Sequence, residues 1–275
     1  MVTITKTLIA GLAFGAVNAY PQAASPSTAV AYTTTPASTP TATPPAPADD
    51  AEKKAALFRD LFTAPTAIKR FQRLLTAKGE SLLSGETLRS LTVFNFNGAK
   101  PAEGAEGGAT KAANIESFPI LTGLGISTTL GFLDACGINT PHVHPRATEF
   151  LTVVEGTVDF GYILENGLVA KGNPEIAGTL GKFEGTVFPM GSIHYQFNPK
   201  CEPATFVAAL NSEDPGTSQV AQNFFNLNAG VINATLGFPK TIDGKNIEEF
   251  RKAIPVNIAQ DIDNCLAKCK KSGGY

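Results

Sequence analysis

The sequence predicts an all-β fold, one closed barrel or jelly roll flanked by helical extensions, and three observations point to it. Between Thr140 and Asn211, short β-rich runs alternate with Gly, Asn and Pro: Glu149 to Val154, Thr157 to Leu164, Gly185 to Phe188, His194 to Phe197 and Thr205 to Leu210. Glu165-Asn166-Gly167 carries the dipeptide of a tight hairpin turn. No internal repeat is apparent, so a single barrel is expected and not two in tandem.

The chain of 275 residues then reads in five parts. Residues 1–19 combine Lys6, an apolar run from Thr7 to Val17 and the small-x-small triplet Val17-Asn18-Ala19, the pattern of a secretory signal peptide. Residues 20–48 are nearly all Ala, Thr, Ser and Pro, a composition that buries no core; a disordered stalk is expected, O-glycosylated or a plain spacer. Residues 49–80 form a helical segment. Ala55, Leu57, Phe58, Leu61 and Phe62 make one stripe behind an acidic start, and Ile68, Phe71, Leu74 and Leu75 make another after Pro65.

Residues 81–216 form the barrel, beginning with strand-like Ser90 to Phe96 and a Gly/Ala-rich loop across 98–112 that lacks the pattern of a phosphate-binding loop. Residues 217–275 form a C-terminal extension that reads as helical over Asn246 to Lys270, divided by Pro255. Within it, Asn233-Ala234-Thr235 is an N-glycosylation sequon, usable if the protein is exported.

Lys and Arg number 22 against 24 Asp and Glu, a net charge of −2 with no basic block. That balance excludes nucleic acid and an anionic membrane surface as expected partners. After the amino terminus, no apolar run reaches the ~18 residues of a membrane span. Secretion, to the extracellular space or a cell wall, makes Cys136, Cys201, Cys265 and Cys269 candidates for disulfides, in any of three connectivities. A zinc site built from these cysteines is the weaker reading, since no CxxC occurs.

The chain has three histidines, and all of them lie in two short stretches: His142-Val143-His144-Pro145-Arg146-Ala147-Thr148-Glu149 and Pro189-Met190-Gly191-Ser192-Ile193-His194. On a strand, His142 and His144 share one face. Glu149 lies at an odd offset from both, so Pro145 is expected to break the run and let Glu149 begin a separate strand beside the first. Three imidazoles and one carboxylate suit a divalent transition metal and leave about two positions of an octahedral ion open.

HxH, four residues, Glu, six residues and Gly156, followed by Pro-x-Gly-x-x-His, resembles the two boxes of the cupin superfamily. Pro141 to Glu149 is similar to the germin and germin-like branch, as are Phe118-Pro119 with Leu124 to Ser127 and Asn211 with Asp214-Pro215-Gly216. Spherulin-like cupins of slime moulds and fungi are the sub-branch it looks like. The resemblance implies a single cupin β-jelly-roll barrel and manganese on His142, His144, Glu149 and His194, with iron, zinc and nickel as alternatives. It also implies assembly into a dimer, trimer or hexamer. Cys136 and Phe183 stand where the family's boxes carry glycine.

Oxalate-oxidising germins carry two asparagines in the pocket. Asn139 matches one, and an ungapped alignment puts Thr129 at the other, which weakens the case for oxalate oxidation relative to superoxide dismutation. Strand parity puts Gln196 on the face of His194, as a pocket residue or as ordinary polar lining. The expected function is therefore a secreted, manganese-dependent oxidoreductase acting on a small molecule. Its rivals are a non-enzymatic wall, matrix, spore-coat or storage protein and a cupin that binds a small molecule or sugar.

Overall fold

The computed structural model describes residues 48–236, 259–260 and 269. The predicted signal peptide and stalk lie outside the described residues, as does most of the helical reading of 246–270. In order, the elements are α1 (Ala48–Thr63), α2 (Ala67–Leu75), β1 (Thr76–Ala77), β2 (Ser81–Leu82), α3 (Gly85–Thr92) and β3 (Gly108–Ala113). Next come β4 (Ser127–Leu133), β5 (Gly137–Val143), β6 (Glu149–Glu155), β7 (Val158–Ile163), β8 (Ile176–Leu180) and β9 (Gly185–Phe188). The chain continues through β10 (Ile193–Phe197), β11 (Ala204–Leu210), β12 (Ser218–Gln219), α4 (Val220–Phe225), α5 (Ala229–Thr235) and β13 (Ala259–Gln260).

Two antiparallel sheets form the expected jelly roll. One runs β3-β4-β11-β6-β9, and the other β12-β5-β10-β7-β8, with β13 also paired to β5. Period-two burial explains how they close on each other. Along β11, Ala204, Phe206, Ala208 and Leu210 are buried; along β6, Glu149, Leu151 and Val153 are. Leu133, Ala147, Val158, Leu180 and Phe188 complete one apolar cluster with the apolar members of these two rows, from which Glu149 stands apart. Each large member contributes roughly 1.5–3 kcal/mol by leaving water. Phe206 needs a gap to seat its ring: a Cβ on Gly131 would stand 2.1 Å from Phe206 Cζ.

The N-terminal helices are as the apolar spacing predicts, but they bury little of their stripes. Leu61 and Leu74 are buried, whereas Phe62 and Ile68 are more than half exposed. Thr66 caps α2 by accepting from the Lys69 N–H, and Arg73 Nε pairs with Asp60 Oδ2 at 2.7 Å to join α2 to α1. No helix among the described residues is long and apolar enough to cross a membrane.

Four local expectations are corrected. Ser90 to Thr92 end α3, and Val93 to Phe96 join no strand, with Phe94 packed on Phe96 and Phe118 instead of entering a ladder. Asn166-Gly167 is no two-residue turn. Tyr162 pairs with Ile176, so the dipeptide sits inside a long loop from β7 to β8, a strand the sequence pattern had missed. The C-terminal extension is not purely helical, since Ser218–Gln219 and Ala259–Gln260 both add to the free edge of β5. Finally, Glu149 does not start a strand beside β5. It opens β6 in the opposite sheet, so the His142–Glu149 stretch bridges the two layers.

Candidate metal centre

His142 lies on β5 and pairs with His194 on β10. His144 follows the end of β5, and Glu149 reaches in from β6. One ligand atom from each of the four side chains lies within 4.8 Å of the others, and no other such cluster occurs among the described residues. All four are buried. His144 Nε2 is 2.9 Å from Glu149 Oε2, and His194 Nε2 is 3.5 Å from the same oxygen.

The backbone orients the imidazoles. Nδ1–H of His142 donates to the Thr140 carbonyl at 2.8 Å, that of His144 to the Gly216 carbonyl at 2.6 Å, and that of His194 to the Ser192 carbonyl at 2.9 Å. A carbonyl only accepts, so Nδ1 carries the proton and the Nε2 lone pairs are left to converge. The His194 ring also stacks on Phe188, with centroids 4.4 Å apart and planes 14° apart, which limits its rotation.

Burial, followed by the charge of neighbouring His194, pushes His142 down to about 3, so its imidazole stays neutral. For Glu149 burial acts upward, but the imidazoles of His144 and His194 beside it outweigh that and hold the carboxyl at about 2. For His144 burial acts downward, and the hydrogen bond and charge of Glu149 overcome it and raise the group. Glu149 is thus ionised and His142 neutral at neutral pH, the forms that ligate.

The residues fit a metal ion. Glu149 Oε1 and His194 Nε2 are buried with no hydrogen-bond partner, a costly arrangement for two polar atoms unless a cation completes them. The donor set of three imidazole nitrogens and one carboxylate, without thiolate, suits manganese, iron or another divalent ion of that class.

A cavity of about 120 Å³ adjoins the cluster, with Thr129, Asn139, Thr217 and Gln219 among its lining residues. Asn139 reaches it through a bulge. His194 and Gln196 are two apart on β10, yet their partners His142 and Asn139 are three apart on β5. The extra residue at Thr140-Pro141 brings both Asn139 and His142 inward, although an odd offset on a regular strand would oppose them. Pro141 can sit there because it has no N–H to offer the ladder.

Gln196 is fully buried but stands behind Asn139, whose Nδ2 donates to Gln196 Oε1 at 2.6 Å. Sequence reasoning had not singled out Thr217, Gln219 or the Gly216 carbonyl. Gly216 closes the segment assigned to the barrel and Thr217 and Gln219 open the one assigned to an extension, and only the pairing with β5 (Ser218 with Val143, Gln219 with His142) carries them to the site.

The remaining candidates lie elsewhere. Cys201 and Cys269 form a disulfide, and Cys136, also disulfide-bonded, has its sulfur 3.6 Å from that of Cys269. Cys265 lies outside the described residues. These sulfurs border the start of β5, the end opposite the histidines. Asn233 is half-buried on α5, with its Oδ1 buried and unpartnered. A wider groove of about 570 Å³ beside Leu164, Glu165 and Met190 holds no ligating cluster.

Residues 94–243 match the cupin family. Spherulin-1A of Physarum polycephalum is 39% identical over 178 residues, covering 64% of this chain and 69% of that protein. Germin-like protein 1-3 of Oryza sativa subsp. japonica is 37% identical over 166 residues, covering 59% and 72%. A solved structure of oxalate decarboxylase superposes with a TM-score of 0.51 at 16% identity, covering 61% of this chain and 41% of that one, a likeness of fold alone. With the two boxes closing on one buried ligand set inside a jelly roll, the chain belongs to the cupin superfamily, in its germin-like branch.

Proposed function

We propose that the protein is a secreted, manganese-dependent oxidoreductase of the superoxide dismutase type. The observation that carries this reading is the converging set of His142, His144, Glu149 and His194 beside a cavity of about 120 Å³. A manganese ion held there supplies one-electron redox chemistry by alternating between two oxidation states. Glu149 contributes the negative charge that favours the higher state, and the three backbone carbonyls keep the imidazoles in their ligating tautomer.

The cavity volume corresponds to about four water molecules at ~30 Å³ each. It admits dioxygen, superoxide or a two-carbon acid. Thr129 and Asn139 share its wall, so of the two positions at which oxalate-oxidising germins carry asparagine, only one holds it here. Superoxide dismutation, which needs an open coordination position and little substrate recognition, fits this wall better than oxalate oxidation.

The leader-like residues 1–19 support secretion, and the exposed Phe62 and Ile68 of the N-terminal helices support assembly of several copies. The test is elemental analysis of the purified secreted protein beside superoxide and oxalate assays. One manganese per chain with superoxide turnover is expected. Full metal occupancy without turnover of either substrate sinks the enzymatic reading and leaves a structural, wall or storage role. Thr129→Asn should raise oxalate turnover from near background; no rise shows that the missing amide is not what withholds that activity.

A further inference from the structure

The four residues between His144 and Glu149 also organise the segment that follows β11. Arg146 makes three hydrogen bonds to it: Nε to the Asp214 carbonyl at 2.8 Å, Nη2 to Asp214 Oδ1 at 2.8 Å, and its backbone N–H to the Pro215 carbonyl at 3.1 Å. The next residue, Gly216, supplies the carbonyl that receives Nδ1–H of His144. The other polar atom near that nitrogen, Thr217 Oγ1 at 3.5 Å, belongs to the same segment.

Gly216 adopts φ +67°, and a Cβ there would stand 2.8 Å from Arg146 Nη2 and 3.0 Å from Pro145 Cγ. The guanidinium therefore lies against Gly216 while it grips Asp214, and the Arg146 backbone N–H holds Pro215 between them. We propose that Arg146 is a positioning residue for the metal centre. Its clasp on Asp214 and Pro215 holds the Gly216 carbonyl where it sets the tautomer and ring orientation of His144.

As an ion pair alone, Arg146–Asp214 would matter little, because the two side chains are 53% and 65% exposed and water screens them. Geometry gives it weight. Two of the three bonds end on backbone carbonyls, so they fix the path of the chain whatever the salt concentration. A lysine offers one point charge in place of the planar fork and cannot make both side-chain bonds in this arrangement. With the clasp open, Nδ1 of His144 loses both nearby acceptors, and its proton is free to move to Nε2, the atom that should ligate.

The inference rests on the proposed function only in that these residues take up a metal, not on any turnover. Its test is a titration of metal-free protein with Mn(II), alongside nitrogen NMR of the His144 ring in mildly alkaline solution. Arg146→Ala should weaken Mn(II) binding about tenfold, the scale of lost outer-shell partners, and shift His144 toward the Nε2–H tautomer. Arg146→Lys should recover little. Gly216→Ala should weaken binding as well, and combined with Arg146→Ala it should cost less than the sum, because the guanidinium that its Cβ would strike is gone.

Unchanged Mn(II) affinity in Arg146→Ala overturns the inference. So does weakened affinity with a wild-type His144 tautomer, which would place the effect elsewhere, and so does simple additivity of the two substitutions. If the wild-type protein takes up no Mn(II), the proposed function fails on that count, and the tautomer comparison still decides the role of Arg146.

Discussion

Asn139 and Gln196 face each other across the β5–β10 ladder, and Asn139 Nδ2 donates to Gln196 Oε1 at 2.6 Å. Gln196 is fully buried, and its Nε2 has no partner, so the amide pair is only half satisfied. Asn139→Ala should leave the Gln196 oxygen without this donor and cost roughly 1–3 kcal/mol. Adding Gln196→Leu should recover part of that loss, because no polar group then remains to be satisfied. Urea unfolding of the wild type and the two variants reads both numbers; a double variant no more stable than the single one contradicts the argument.

Metal uptake should weaken in acid, and His144 should set where. Its raised affinity for protons comes from Glu149, so the ion competes for a site that the carboxylate has helped to protonate. His142, held at about 3, and Glu149, held at about 2, do not limit binding near neutrality. Affinity should therefore rise with pH until it passes the raised value of His144 and then flatten. Below that point the loss should be about tenfold per pH unit for one displaced proton. Calorimetric Mn(II) titrations across pH check this, and an affinity flat from weakly acid to weakly alkaline solution would count against it.

Phe183 has φ +68° and is 75% exposed, and the contact seen for its ring is with Lys182 Nζ, 5.0 Å from the centroid. A side chain in the left-handed region costs roughly 1–2 kcal/mol, of which glycine's greater freedom when unfolded takes back part. Phe183→Gly should thus stabilise the protein by about 0.5–1 kcal/mol and raise its melting temperature by about 2 °C. A lower melting temperature would mean that the exposed ring does more than the backbone suggests, as at an interface.

The Cys201–Cys269 disulfide closes a sequence separation of 68. Constraint of a loop that long in the unfolded chain stabilises by about 4 kcal/mol, less any slack in the native state. Cys201→Ser should lower stability by roughly 2–4 kcal/mol while Mn(II) affinity stays near wild type, because the sulfurs border the far end of β5 from the histidines. Loss of metal binding in that variant would show that the strap is coupled to the site.

Part of this protein is legible from its residues alone. Period-two burial on β6 and β11 needs only the alternation of apolar and polar side chains, and the ligand set needs only three histidines gathered in two stretches beside Glu149. Even the two positions where relatives carry glycine proved informative, since Cys136 and Phe183 both adopt positive φ, 60° and 68°. These are local properties, set by a side chain's own chemistry or by sterics within a few residues.

What depends on pairing between distant segments was decided only in three dimensions. No local pattern says that Glu149 crosses to the opposite sheet, or that a bulge at Thr140-Pro141 turns Asn139 inward. Nor does one show that Asp214 to Gln219 returns to the edge of β5 to orient His144 and line the cavity. Strand register and edge pairing are chosen by how two sheets close over one core, a sum over contacts far apart in the chain. Residue identity alone named the four candidate ligands; the pairing of distant strands aims them at one point and sets Thr129, Asn139 and Gln219 around them.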